Sequence, residues 1–250
     1  MLYEIKSWIT GEVLFALESA SLKITVEAAV KAKTNLRDAD LRDANLRGAN
    51  LRGSNLRGSD LRDTDLRDAD LRDADLRDAD LRVANLRDAN LRDANLRGSD
   101  LCDANLRGSD LRDANLRDAD LCDANLRGSD LRGSDLCDAN LTPIRDDLWA
   151  VLSSSPKEVA SLRQSLIDGK IDGSTYEGDC ACLVGSLANA RHCNFTSIPG
   201  LAPNSSRPAE RFFLSIGPGD TPDNSQFAKL ALEWIDTWLD NVTKAFETAK

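Results

Sequence analysis

Polar and apolar positions fall into three regimes along this chain, and the middle one counts in fives. From Leu36 to Leu141 a leucine recurs at every fifth residue without a slip, 22 in all. Asn or Asp stands directly before each leucine, and Ala, Ser or Thr before that. Arg usually follows, then Asp or Gly. A period of five suits neither common element. On an α-helix successive leucines would lie about 140° apart and spread round every side. On a flat strand they would alternate between faces. A core results if the chain turns a corner of about 90° at each repeat, so that four repeats close a square coil. Leucine and the small residue then point inward, and coils stack at roughly 4.8 Å.

The flanks follow other periods. Residues 2–9 alternate as a strand, Thr10-Gly11 makes a turn, and Glu12 to Leu17 forms a second strand. Ser21 caps a helix with Leu22, Val26, Ala29 and Val30 on one side. Residues 1–34 are thus expected to cap the solenoid, whose first coil would otherwise expose its apolar column and an open edge. The repeat ends at Thr142-Pro143. Beyond it, residues 146–152 suggest a short helix, and Ser155-Pro156-Lys157-Glu158 has the form of a capping box for the next. Cys180 to Ala190 is a further helix candidate, and loops at 204–208 and 217–224 surround Phe212-Phe213-Leu214. From about Ser225 to Phe246, Phe227, Leu230, Trp234, Trp238 and Val242 mark a long final helix. The expected fold is mainly β: a cap over 1–34, a β-solenoid over 35–141 and an α-helical domain over 142–250.

The repeat, as in Ala39-Asp40-Leu41-Arg42-Asp43, has the form A(D/N)LR(D/G) and resembles the pentapeptide-repeat family over about two-fifths of the chain. That resemblance implies a right-handed quadrilateral β-helix with the leucine and the small residue inside. Some members of the family are implicated in protecting or inhibiting DNA gyrase through a DNA-like acidic rod, so a DNA-mimicking gyrase modulator is one implied reading. The flanks also resemble pentapeptide-repeat proteins of bacteriophages and prophages, which implies a host-directed binding role.

Charge changes the picture once four repeats are folded to a coil. The chain carries −10, with no uniform basic coat for nucleic acid. On the face through Leu41 to Leu121, nine aspartates (Asp40, Asp43, Asp60, Asp63, Asp80, Asp100, Asp103, Asp120 and Asp123) stand against Arg42, Arg62 and Arg82, a net −6. The next face is +2. The acidic face is the candidate binding surface for a protein partner, with a nucleic-acid-binding host protein such as DNA gyrase among the possibilities. Arg is displaced after the leucine at Cys102, Cys122, Cys137 and Thr142. These are expected to dock the 142–250 domain, because small side chains let another surface approach.

Six cysteines without a signal-like start suggest reduced thiols in the cytoplasm, and no apolar run reaches the ~18 residues of a membrane span. Cys180, Cys182, His192 and Cys193 are the one group with metal-ligand types, but their spacing does not match common structural zinc sites. A Cys–His nucleophile would need Cys180 or Cys182 to meet His192, which ten residues of helix do not arrange. A non-catalytic interaction protein without a cofactor is therefore expected, with a thiol- or metal-dependent enzyme in the 142–250 domain as a further alternative.

Overall fold

The computed structural model describes residues 1–174, 182–191, 204 and 207–248, and divides the chain into two compact units, Met1–Pro143 and Ile144–Lys250. In the first unit, parallel bridges join residues 20 apart, from Asp40 with Asp60 to Asp120 with Asn140. Four repeats therefore make one coil. Each corner is a tight turn in which, for example, Ala44 N–H donates to Leu41 O at 3.2 Å. Between coils, Leu41 N–H donates to Asp60 O and Asp60 N–H to Ala39 O, both at 2.9 Å.

The Asn or Asp before each leucine also closes the corner. Its Oδ1 accepts from the backbone N–H two residues on, as Asn45 does from Arg47 at 3.3 Å. Asp or Gly at the second place after the leucine supplies the left-handed conformation the corner needs, with φ near +60° at Asp43, Gly48, Gly53 and their successors. Every repeat leucine is buried, and the small residues fill the space beside them. The hydroxyls of Ser99, Ser109 and Ser129 donate to leucine carbonyls three residues back at 2.7 Å, so those polar groups enter the core satisfied.

The N-terminal hairpin and helix form as expected, but the first strand, expected to run to residue 9, ends at Lys6, and the turn begins at Trp8. Strands β1 (Leu2–Lys6) and β2 (Val13–Glu18) pair antiparallel, with a register shift between Ile5 and Lys6. Helix α1 (Leu22–Lys31) follows, and Ser21 caps it by accepting from Ile24 N–H. This cap is tied to the first coils: Trp8 Nε1 donates to Gly58 O at 2.8 Å, Asp40 N–H to Lys6 O at 2.7 Å, and Lys23 Nζ to the carbonyls of Arg47 and Gly48.

The second unit is helical in its described residues. Helix α2 (Thr142–Ser154) leads into it from the last repeat, starting earlier and ending later than the sequence pattern suggests. Helices α3 (Val159–Ile167), α4 (Leu183–Arg191), α5 (Pro208–Phe213) and α6 (Gln226–Thr248) follow. The capping box expected at Ser155 is not formed. Helix α3 begins three residues later, the Ser155 hydroxyl is buried without a partner, and the Glu158 carboxylate instead pairs with Arg191 at 2.8 Å. A tertiary ion pair has taken the group the local cap would use. Phe212 and Phe213, expected between loops, lie in α5 and are fully buried. The Phe212 ring packs 5.1 Å from Trp234 and 5.2 Å from Phe227, while Arg163 of α3 pairs with Asp236 of α6.

Candidate functional site

The coat of the solenoid follows a two-way rule set by the residue before the leucine. Where that residue is Asp, the Arg two places on folds back over it and makes a two-pronged ion pair. Arg72 shows the pattern, with Nε to Asp70 Oδ1 at 2.8 Å and Nη2 to Oδ2 at 2.6 Å. Arg67 and Asp65, Arg77 and Asp75, and Arg112 and Asp110 repeat it. These hydrogen bonds hold the carboxyls of Asp40, Asp65, Asp70, Asp75 and Asp110 below the usual carboxylate range. Where the residue is Asn, no charge holds the Arg at home, and it often reaches the next coil. Arg47 Nε meets Asp68 at 3.2 Å, Arg52 Nε meets Asp73 at 3.0 Å and Arg97 Nε meets Asp118 at 3.2 Å.

On the face through Leu41 to Leu121 this rule operates on three coils and then stops. Asp40, Asp60 and Asp80 are gripped by Arg42, Arg62 and Arg82, each of which also leans toward the next aspartate at 3.4–3.5 Å. The one arginine among the described residues that reaches Asp100 in an ion pair is the outlying Arg82, because the repeat of Asp100 carries Cys102 where its own arginine would be. Asp120 has Cys122 in that place, and Asn140 Nδ2 donates to it at 2.9 Å. The nine aspartates singled out from the sequence therefore lie on one face but do not form a uniform strip. Asp100, Asp103, Asp120 and Asp123 occupy two coils whose repeats on this face contain no arginine.

The thiols sit inside this acidic field. Cys102 is half-buried, and desolvation together with hydrogen bonding to Asp100 and Asp120 pushes its thiol up to about 12. Asp123 raises Cys122, whose Sγ lies 3.4 Å from that carboxylate, and Asp138 raises the exposed Cys137 in the same way. Potential ligand atoms of Asp100, Cys102 and Asp120 lie within 4.8 Å of one another. Thr142, the fourth arginine-free position, opens α2 and donates its hydroxyl to Asn140 Oδ1 at 2.6 Å.

Val83 escaped the reading of the sequence. It occupies the second place after Leu81, where the other repeats on that face before Leu141 have Asp, and its side chain is 54% exposed. The break in the repeat was visible, but its meaning depends on which residues lie beside it, and that needs the coil. In the second unit Cys182 is buried and its thiol is raised to about 11 by desolvation. Cys180, His192 and Cys193 lie outside the described residues. No helix among the described residues is long and apolar enough to cross a membrane.

The family model for pentapeptide repeats matches eight copies over residues 34–73, 69–108 and 104–142. Solved structures with likeness to this chain include a pentapeptide repeat protein from Nostoc, 32% identical over 46% of this chain and 94% of its own, with a TM-score of 0.38. Another, from the thylakoid lumen of Arabidopsis thaliana, is 32% identical over 45% of this chain and 73% of its own, with a TM-score of 0.35. QnrB1, a plasmid-mediated fluoroquinolone resistance protein, is 23% identical over 44% of this chain and 61% of its own, with a TM-score of 0.28. No curated protein matches the chain.

Proposed function

Because this chain belongs to the pentapeptide-repeat family, we propose that its right-handed β-helix serves as a non-catalytic scaffold that binds and modulates a protein, in a phage or prophage setting a protein of the bacterial host. The observation that carries this reading is the end of the arginine ladder at Asp100. Below it each Asp before a leucine on this face is answered at 2.6–2.7 Å, so that stretch of coat is largely self-neutralised. Above it Asp100 keeps only the 3.5 Å ion pair from Arg82, and with Asp103, Asp120 and Asp123, whose repeats carry no arginine on this face, it presents net negative charge to a partner with a basic surface. Like charges one coil apart repel by roughly 1 kcal/mol in water, and a basic partner relieves that repulsion.

The narrower reading, DNA-like modulation of gyrase, is favoured by the regular column of Asp40, Asp60, Asp80, Asp100 and Asp120. The arginines on its first three members make the column far less phosphate-like than its composition suggests.

Capture from bacterial lysate on the immobilised full chain tests the proposal. The quadruple variant with Asn at positions 100, 103, 120 and 123 should lose proteins that the wild type retains, and ~0.5 M salt should elute them, as screened attraction requires. Equal capture by both forms would remove the acidic face from the reading. In a supercoiling assay, salt-sensitive inhibition of gyrase would select the narrower version, and absence of inhibition at tens of micromolar protein would set it aside.

A further inference from the structure

The breaks in the repeat coincide in space. Val83 N–H donates to Cys102 O at 3.0 Å across the coil gap, and Asp103 N–H donates to Cys122 O at 2.9 Å. Val83, Cys102 and Cys122 therefore form a slightly slanted row over three consecutive coils. Asp100 and Asp120 lie on one side of the two cysteines, and Asp103 and Asp123 lie on the other, in the column that Val83 begins. Had the repeat continued unbroken, long guanidinium groups would stand at both cysteine positions and grip the first pair of carboxylates, as Arg62 does at Asp60, and an aspartate would stand in place of Val83. Instead two neutral thiols run between two acidic rows, and an exposed valine takes the place of an aspartate at the head of the row formed by Asp103 and Asp123.

We propose that this row is the seat of a cationic amphipathic helix, lying along the solenoid axis with small apolar side chains on Val83, Cys102 and Cys122. Lysines or arginines on its two flanks would meet the two acidic rows. Charge fixes the sign of the partner, and spacing selects its form. Coils repeat at roughly 4.8 Å, close to the ~5.4 Å rise of one α-helical turn, so residues one turn apart stay matched over three coils. Side chains on one face of a strand recur at about 6.6 Å and would fall out of step by the second coil. An apolar contact between the charged rows also excludes water from the ion pairs and so strengthens them. The inference rests on the interaction reading given above and adds the chemistry of the partner.

The test uses the full chain and two synthetic helices of equal length and charge. Both are built on lysine and alanine. One carries leucine at every third or fourth position along one face, and the other has glutamine in those places. Binding measured by fluorescence anisotropy should favour the leucine helix at least about tenfold. Restoring the repeat with Val83→Asp, Cys102→Arg and Cys122→Arg should abolish that preference. Those residues already occupy the equivalent places in neighbouring repeats, as Asp63, Arg62 and Arg82 do, so the variant keeps the fold, which circular dichroism and the melting temperature would verify. Equal binding of both helices, or a preference that survives restoration, would overturn the apolar row while leaving the acidic face in place. Binding of neither helix would overturn the proposed partner. Lysate capture, measured separately, would still decide the broader reading.

Discussion

At the scale of single residues, the chain shows how one atom's difference redirects a long side chain. Asn and Asp before the leucine close the same turn with the same Oδ1, as Asn45 and Asp70 do, but only Asp keeps its Arg at home. This has a consequence for acid stability. The carboxyls of Asp65, Asp70, Asp75 and Asp110 are held low by their arginines, so near pH 3–4 the unfolded chain binds more protons than the folded one. Their contribution is complete above the ordinary carboxylate range and is lost as pH falls through the depressed folded values. Replacing all four with Asn should flatten the acid limb of the stability curve below about pH 4 and leave its neutral part less affected than that limb. Urea titrations at pH 3 and pH 7 check this, and an unchanged difference between the two pH values would contradict it. Val83 is a second residue-scale case. It holds a φ of +61°, which a β-branched residue adopts at a cost. Val83→Gly should raise stability by about 1 kcal/mol, read as a higher urea midpoint, because the side chain is mostly exposed and little packing is lost.

Among the elements, the solenoid was legible in the sequence and the helical unit only partly so. A strict period with one core residue per repeat leaves little choice of what points inward, and Leu86 is fully buried while the Arg87 side chain stands half exposed. The helices follow local signals until tertiary contacts compete. Ser21 caps α1 as its sequence indicates, whereas the similar signal at Ser155 is overridden when Glu158 pairs with Arg191. Phe212 and Phe213 looked like a short apolar run between loops, since six residues of helix carry too little periodicity to declare themselves. Likewise, the nine acidic-face aspartates could be assigned to one face by counting in twenties, but not the arginine geometry that leaves four of them in a stretch without it. The inward register makes a direct prediction. Leu86→Asp should cost several kcal/mol more than Arg87→Ala, because one buries a charge in an apolar column and the other trims an exposed ion pair. Comparable melting temperatures for the two variants would be incompatible with a buried Leu86.

For the whole molecule, a solenoid can be cut in ways a globular core cannot, because each coil touches only its neighbours. Deleting residues 61–80 removes one full coil and returns every later residue to the same face. Deleting residues 61–65 removes a single corner. The fivefold leucine pattern survives, but everything beyond it turns by one face, so Asp100 and Asp120 no longer continue the column begun by Asp40 and Asp60. Both cuts spare the cap contacts at Gly58, Arg47 and Gly48. They also spare the coils that carry Val83, Cys102 and Cys122, so both variants should retain a cooperative melt. The two readings of the acidic face then separate. A partner that needs a long DNA-like column should bind the 20-residue deletion better than the 5-residue one, because only the former keeps the column in line. A partner seated on the arginine-free stretch should bind both equally, since that stretch moves as an intact piece. The arginine ladder that stops at Asp100 leads us to expect equal binding, measured by lysate capture and by the leucine-bearing helix. A loss confined to the 5-residue deletion would transfer the function from the local row to the full length of the column.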